Sequence, residues 1–221
     1  MSFKNIKRYS STIPNQTFYY RSTELVAKDL LGKKLVRIIN KSKDQTYRLS
    51  GLIVETEAYG FDDDPASHAY RGITSRNISM FGEVGCAYVY FTYGNYYCVN
   101  VCARSSKVKA GAVLIRALQP LEGIPIMKFL RNTDNELSLS SGPGKLTQAL
   151  CIDKSLNGQD MTNATTELHI EYGIKPQRII CSSRIGIREA QEKKWRFILA
   201  GKDEDDNDDL FIRYVSRKNI K

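Results

Sequence analysis

The chain has 221 residues, 42% of them hydrophobic, which is enough to bury one substantial core and makes one domain the default count. Its formal net charge of +9 suits a polyanionic partner, because lysine and arginine displace counterions from phosphates. No apolar run approaches the length that spans a bilayer, and the opening MSFKNIKRYS is basic without the apolar segment of a secretory signal, so an intracellular protein with no membrane partner is expected.

Residues 1–16 are polar and basic and read as a loose N-terminal arm, with a single domain over 17–221. Ser22 can cap a helix running to about Leu31, with Leu25, Val26, Leu30 and Leu31 on one side and Gly32 as its stop. Leu35–Ile39 reads as a strand and Lys41–Thr46 as a turn. Tyr47–Ala58 reads as a longer strand, in which Leu49, Gly51, Ile53, Glu55 and Glu57 share one parity and Leu52, Val54 and Thr56 the other. That parity puts two carboxylates on one face at the strand's far end. The Phe61–Pro65 loop can then cap a short helix over Ala66–Ala69. Tyr88–Tyr93 and Tyr96–Val101 are aromatic and β-branched runs, and Gly94-Asn95 between them is a two-residue hairpin signal. Ala112–Leu118, containing Arg116, reads as a strand. Helices are expected over Ile124–Leu130 and Lys145–Leu150, the second opened by Ser141-Gly-Pro-Gly144. Strands are expected near Leu168–Glu171 and Trp195–Leu199, with Ile185-Gly-Ile187 in a turn or strand end. Helices and strands mix without regular alternation, so the expected fold class is α+β, a curved antiparallel sheet with an open-barrel-like core surrounded by helices.

Residues 1–48 hold eleven Lys/Arg against three acids, nearly the whole basic excess, so charge supports a nucleic-acid partner without locating the site. The run DEDDNDD over 203–209 reads as a solvated loop. Five cysteines, an odd count with no C-x-x-C pair, and only two histidines favour neither a disulfide framework nor a metal site. Most of the cysteines are expected as small buried apolar groups, and no cofactor is implied.

Four segments could carry chemistry. In Val54-Glu-Thr-Glu-Ala-Tyr59 the acids either point to solvent from an edge strand or stand in a cleft, where desolvation makes a carboxylate a better base. Seven of the thirteen tyrosines lie between Tyr59 and Tyr97. Most fit a sheet core with hydroxyls at its rim, but Tyr93 directly precedes the hairpin turn, where an exposed ring can wedge between bases. His68, just after an acidic loop, reads as pocket wall in preference to core. Ser141-Gly-Pro-Gly-Lys145 is a glycine-rich turn into a helix, able to offer backbone N–H groups to a phosphate, though it is not a P-loop.

In chain order, Leu30-Leu-Gly-Lys33, Ile53-Val-Glu-Thr-Glu-Ala-Tyr59, His68, Arg76-Asn77, Met80-Phe81, Tyr88-Val-Tyr90, Tyr93-Gly94, Asn100, Leu114-Ile-Arg-Ala-Leu118, Pro120-Leu-Glu-Gly123, Ser141-Gly-Pro143, Lys145-Leu146, Arg184-Ile-Gly186 and Arg196-Phe197 together resemble the alkyladenine (3-methyladenine) DNA glycosylase family. The resemblance implies a single compact domain acting as a monomer on double-stranded DNA that contains damaged purines, in a bacterial cytoplasm or a eukaryotic nucleus. It implies base flipping and monofunctional hydrolysis of the N-glycosidic bond, with Glu57 as general base and the attacking water held by Arg116 and the backbone carbonyl of Ile185. Tyr59, His68 and Tyr90 would wall the base pocket, with Ala66 near the base edge and Asn100 excluding the amino group of guanine. Tyr93 would fill the gap in the stack, and Arg76, Lys145 and Gly186 would contact DNA. Gly144 departs from the pattern, standing where some relatives have serine, and the acidic run before Leu210 is longer than in many. Two rival readings stay open: a non-catalytic RNA-binding module on a related open-barrel fold, and a carbohydrate glycosidase using Glu55 and Glu57, roughly 7 Å apart on one strand face, as its acid–base pair.

Overall fold

The computed structural model describes residues 12–42, 45–92, 96–201 and 211–216. It is an α+β domain in which one antiparallel sheet curls into a half-barrel, with five α-helices among the described residues. The chain opens with α1 (Gln16–Tyr19) and α2 (Thr23–Leu30). Ser22 Oγ accepts from the Leu25 N–H and caps α2, while Gly32, at φ +77°, ends it. Val26, Ala27, Leu30 and Leu31 are buried, but Leu25, expected beside them, is 52% exposed. Ahead of α1, Pro14 is buried and the Thr12 carbonyl accepts from the Tyr172 N–H at 2.9 Å. Residues 1–11 lie outside the described residues.

Strands β1 (Lys34–Ser42) and β2 (Gln45–Tyr59) pair as a hairpin, so strand occupies most of the expected turn at Lys41–Thr46. Strands β3 (Ala87–Thr92), β4 (Tyr96–Cys102) and β5 (Ala112–Glu122) follow, then α4 (Ile124–Arg131), α5 (Pro143–Ala149), β6 (Leu168–Glu171), β7 (Arg178–Ser182) and β8 (Arg196–Ala200). The sheet runs β3-β4-β5-β2-β1-β6, and β8, with β7 beside it, pairs onto β2. The fifteen-residue β2 therefore shares one of its edges: β1 takes its first part and β8 takes Glu55 to Glu57. It is the centre of the sheet and not an edge, which removes the solvent-facing reading of its two acids.

Along the other edge of β2 the register to β5 shifts at three points, two of them flanking Glu55. It passes from Ile53 opposite Leu118 to Glu55 opposite Ala117, then to Thr56 opposite Ile115. Arg116 is the residue left over in β5. A bulge of this kind bends the strand and re-aims a side chain, here toward the face that holds Glu55 and Glu57. Thr56, of opposite parity, turns to the other face and donates to the Ala27 carbonyl of α2 at 2.9 Å.

The main core lies where α2, α4 and α5 pack on the sheet, around Leu30, Ile53, Ile115, Leu118, Leu146 and Phe197. A smaller cluster of Ala69, Met80, Tyr88, Cys102, Ala110 and Ala112 lies under the 60–80 segment. That segment carries the short α3 (Ile78–Phe81), but the helix expected over Ala66–Ala69 is a series of turns. At the head of α4, Gly123 has φ +75°, and a β-carbon there would stand 2.2 Å from Leu49 Cδ2, so only glycine fits. The cysteines are all free, and only Cys98 and Cys102 are buried; Cys151 and Cys181 are exposed, against the expectation that most would be interior.

Candidate active site

The far end of β2 delivers Glu57 and Tyr59 to one side of a cavity of about 680 Å³. The remaining walls come from the 65–71 turns, from β3 and β4, from β5 and from the loop after β7. Tyr59, Ala66, His68, Tyr90, Asn100, Arg116, Ile185 and Gly186, all singled out in the sequence, line it. Six separate stretches of chain thus meet at one hollow of a size that takes small ligands.

Glu57 lies just behind this lining. Its side chain has no exposed surface, and three of the residues that face the cavity hold it. The Ile185 N–H donates to Oε1 at 2.7 Å, the Tyr59 hydroxyl to Oε2 at 2.8 Å, and Arg116 Nη1 to Oε2 at 3.2 Å. Ile185 was expected to act through its carbonyl; the contact it makes here is through its N–H. A carboxylate offers about four acceptor positions, so these donors leave one on Oε1. Burial, and then the Glu57 charge, push the Tyr59 phenol well above its usual range, which keeps it a donor. Burial works against the Arg116 charge, but the Glu57 and Glu55 carboxylates outweigh it and hold the guanidinium protonated.

The aromatic wall is braced from behind. His68 Nδ1 lies 3.0 Å from the Tyr88 hydroxyl, and the His68 and Tyr90 rings meet edge to face at 4.7 Å. Burial, and then Arg76, lower the His68 pKa below its usual value, so the ring is neutral at pH 7. Burial also raises the Tyr90 phenol, with Cys98 beside it adding to the effect. Asn77 Nδ2 donates to the His68 carbonyl at 2.7 Å, and Asn100 Nδ2 donates to the Tyr88 carbonyl at 2.9 Å. The His68 and Tyr90 rings, braced in this way, form a wall on which a flat aromatic ligand can stack.

Of the expected DNA contacts, Gly186 lines the cavity at φ +80°, with open space around the position of a β-carbon. Arg76 stacks over the Tyr90 ring at 5.3 Å and donates to the Phe91 carbonyl. Lys145 is exposed next to Pro143 and Gly144 of the rim, 3.4 Å from Ser141 Oγ. Tyr93 and the acidic run 203–209 lie outside the described residues. Among the described residues no cluster of His, Cys, Asp or Glu could hold a metal ion, and no helix is long and apolar enough to cross a membrane.

Sequence reasoning passed over several residues of the site. Arg71, Met80, Tyr88, Tyr96, Cys98 and Arg188 line the cavity without having been singled out for it. So does Gly144, whose β-carbon would stand 2.9 Å from Tyr96 Cβ; its departure from serine therefore has a packing cause. Asp64 and Arg184 form a bidentate pair at 2.6 Å and 2.6 Å, both fully buried. Arg184 also lies over the rings of Tyr59 and Trp195. Glu55 does not line the cavity; Arg116 and Arg196 hold it in the interior.

Residues 17–203 match the family model described as methylpurine-DNA glycosylase. A protein of Carboxydothermus hydrogenoformans, provisionally named a 3-methyladenine DNA glycosylase, is 47% identical over 208 residues, covering 93% of this chain and 99% of that protein. One of Methanoculleus marisnigri with the same provisional name is 43% identical over 210 residues, covering 94% and 100%. One of Chlorobium phaeobacteroides, again so named, is 44% identical over 179 residues, covering 81% and 89%.

Proposed function

Because the chain belongs to the methylpurine-DNA glycosylase family, we propose that it flips alkylated or deaminated purines out of duplex DNA and hydrolyses their N-glycosidic bond, with Glu57 as the general base. The observation that carries this reading is the state of the carboxylate. Glu57 is fully buried, three donors from cavity-lining residues occupy three of its acceptor positions, and the fourth, on Oε1, is the one a water would use. Water comes to it from the cavity past Ile185 and Arg116, the lining residues that hold the carboxylate. The water oxygen bonds to C1′ of the sugar, the C1′–N bond breaks, its electron pair leaves with the base, and the proton goes to Glu57. A cationic alkylated purine departs as a neutral base and needs no acid. Deaminated purines need a proton at the leaving ring.

Selectivity follows from cost. Extruding a base costs a few kcal/mol, and less for a damaged or mispaired one. Stacking against Tyr59, His68 and Tyr90 returns ~1–3 kcal/mol per base, and more for a cationic purine against electron-rich faces. Asn100, fixed on the Tyr88 carbonyl, takes the role of excluding the amino group of guanine in this reading. Tyr93 fills the gap left in the stack, while Arg76, Lys145 and the Gly186 backbone take phosphates. The protein acts as a monomer. No lysine is among the residues that line the cavity, and water as nucleophile leaves an abasic site in an intact strand.

The test is Glu57→Gln, which keeps shape and removes basicity. Release of a defined alkylated purine from a duplex should fall by ~10²–10⁴-fold, while the variant still binds that duplex in a gel-shift titration. Undiminished release would remove Glu57 from the mechanism, and binding without any release by the native protein would leave only the nucleic-acid-binding module. Borohydride should trap no enzyme–DNA adduct from the native protein.

A further inference from the structure

Behind Glu57 the buried charge continues. Glu55, two residues earlier on the same face of β2, accepts from Arg116 Nε at 3.0 Å and from Arg196 Nε at 2.6 Å, both on Oε1. Arg196 goes on to the Ser216 carbonyl at 2.6 Å and to Ser182 Oγ at 3.5 Å. Glu57, Arg116, Glu55 and Arg196 thus form a row of alternating sign, fully buried except for a 7% exposed Arg116. Only Arg116 among them faces the cavity. The bulge in β5 aims Arg116 between the two acids, and β8 sets Arg196 directly across the ladder from Glu57.

This is not how the protein builds an ion pair for rigidity. Asp64 and Arg184 meet fork to fork, and Asp64 also accepts from the Gly60 N–H. Glu55 takes both of its arginines on one oxygen, while Oε2 is buried with no partner among the described residues. Such an arrangement is a poor source of stability. Its effect is to divide one guanidinium between two carboxylates.

We infer that Glu55 and Arg196 are positioning residues for base release: Glu55 orients Arg116 toward Glu57 while drawing off part of its charge, Arg196 anchors and balances Glu55, and the row thereby sets how readily Glu57 takes a proton from water. This rests on Glu57 being the general base. The other groups facing Glu57 are Tyr59 on β2, Arg184 in the loop after β7, and Cys98 on β4 with Tyr90 on β3 beyond it. Glu55 and Arg196 are the members whose charge can be altered without touching the substrate.

The two substitutions pull in opposite directions. Glu55→Gln leaves two guanidinium groups acting on Glu57 alone and favours its charged form. The acidic limb of the pH–rate profile then moves to lower pH, and the plateau falls about tenfold because the base is weaker. Arg196→Gln removes a positive charge and moves the limb to higher pH. For a unit charge roughly 7 Å away in a protein interior, each displacement is ~1–2 pH units. Arg196→Lys keeps the charge and leaves the limb in place. A merely structural role would lower the stability of these variants without separating their limbs.

Single-turnover release from a duplex carrying one defined alkylated purine, followed across the acidic range, reads this out, with the fold of each variant checked by circular dichroism. Limbs of Glu55→Gln and Arg196→Gln that coincide with the native one, or move together, overturn the inference. If Glu55→Gln fails to fold, Arg196→Gln against Arg196→Lys carries the same comparison. Glu57→Gln run alongside separates the two levels. An active Glu57→Gln protein brings down the general-base reading and this inference with it. An inactive one beside unmoved limbs brings down this inference alone.

Discussion

Tyr59 presents its ring to the cavity and its hydroxyl to Glu57 at 2.8 Å, and a Tyr59→Phe variant keeps the first while removing the second. A hydrogen bond to a charged group is worth ~1.5–3 kcal/mol, and this one fixes which oxygen of Glu57 is occupied. Lesion-duplex affinity should therefore change little, because the stacking face survives. Single-turnover release should slow by about tenfold or more as the carboxylate loses one of its three anchors. If affinity collapses while the rate from the bound complex stays native, the hydroxyl belongs to binding instead. At this scale much of the site was legible. Strand parity put Glu55 and Glu57 on one face, and the family pattern marked the walls at Tyr59, His68 and Tyr90. The division of labour between the two acids was not legible. It depends on Arg116 sitting at a register slip and on Arg196 arriving from a strand 139 residues after Glu57, and neither leaves a mark in local spacing. For the same reason a sugar-cleaving acid–base pair was an open reading of the sequence. With Glu55 locked between two arginines and away from the cavity, it has no support in the structure.

Between elements, the buried Asp64–Arg184 pair ties the turns that carry Ala66 and His68 to the loop that carries Ile185 and Gly186. Arg184 also reaches the Ala58 carbonyl at the end of β2, so three walls of the cavity converge on one side chain. Asp64→Ala strands a buried guanidinium, which costs about 3–5 kcal/mol when a partner is removed. Urea denaturation should show a loss of that order, and release should fall with it because Ile185 is the next residue along. A loss below about 1 kcal/mol would mean that the walls are held independently. The same pair explains an expectation that failed. Asp64-Pro65 looked like a helix start, but the carboxylate is spent on the Gly60 N–H and on Arg184, and Ser67 Oγ donates to the Gly60 carbonyl. Side-chain bonds to nearby backbone compete with helix formation, and here they fold 60–70 into turns. The long strands and the helices at 23–30, 124–131 and 143–149 were legible because each carries its own cap, breaker or periodicity. Strand β7 and helix α3 were not, being defined by what they pack against; length is not the reason, because β6 and β8 are as short.

On the proposed function the molecule as a whole separates binding from chemistry, and ionic strength tells the two apart. The sequence places nearly all of the basic excess before residue 49, yet several of those cations are already engaged: Arg21 with Asp29, Arg37 with Glu167, Arg48 with Glu122 and Glu171. The cations around the cavity mouth are Arg71, Arg76, Lys145 and Arg188, drawn from stretches where acids nearly cancel the bases. A tally of charge along the chain therefore found the partner class without finding the surface, because the fold gathers at the mouth what the sequence spreads out. Each phosphate neutralised releases counterions, so log affinity falls against log salt with a slope of about −0.9 per contact. With about four such contacts, lesion-duplex binding should weaken by ~10²-fold between about 50 and 200 mM salt. The Glu57–Arg116–Glu55–Arg196 row is buried except for the edge of Arg116 that faces the cavity, and buried pairs are screened far less than exposed ones. At enzyme concentrations that saturate the duplex at every salt, single-turnover release should hold within about twofold. A release rate that falls with salt as steeply as affinity does, at full saturation, would mean that solvent ions reach the reacting centre and that the buried carboxylate is not the group that takes the proton.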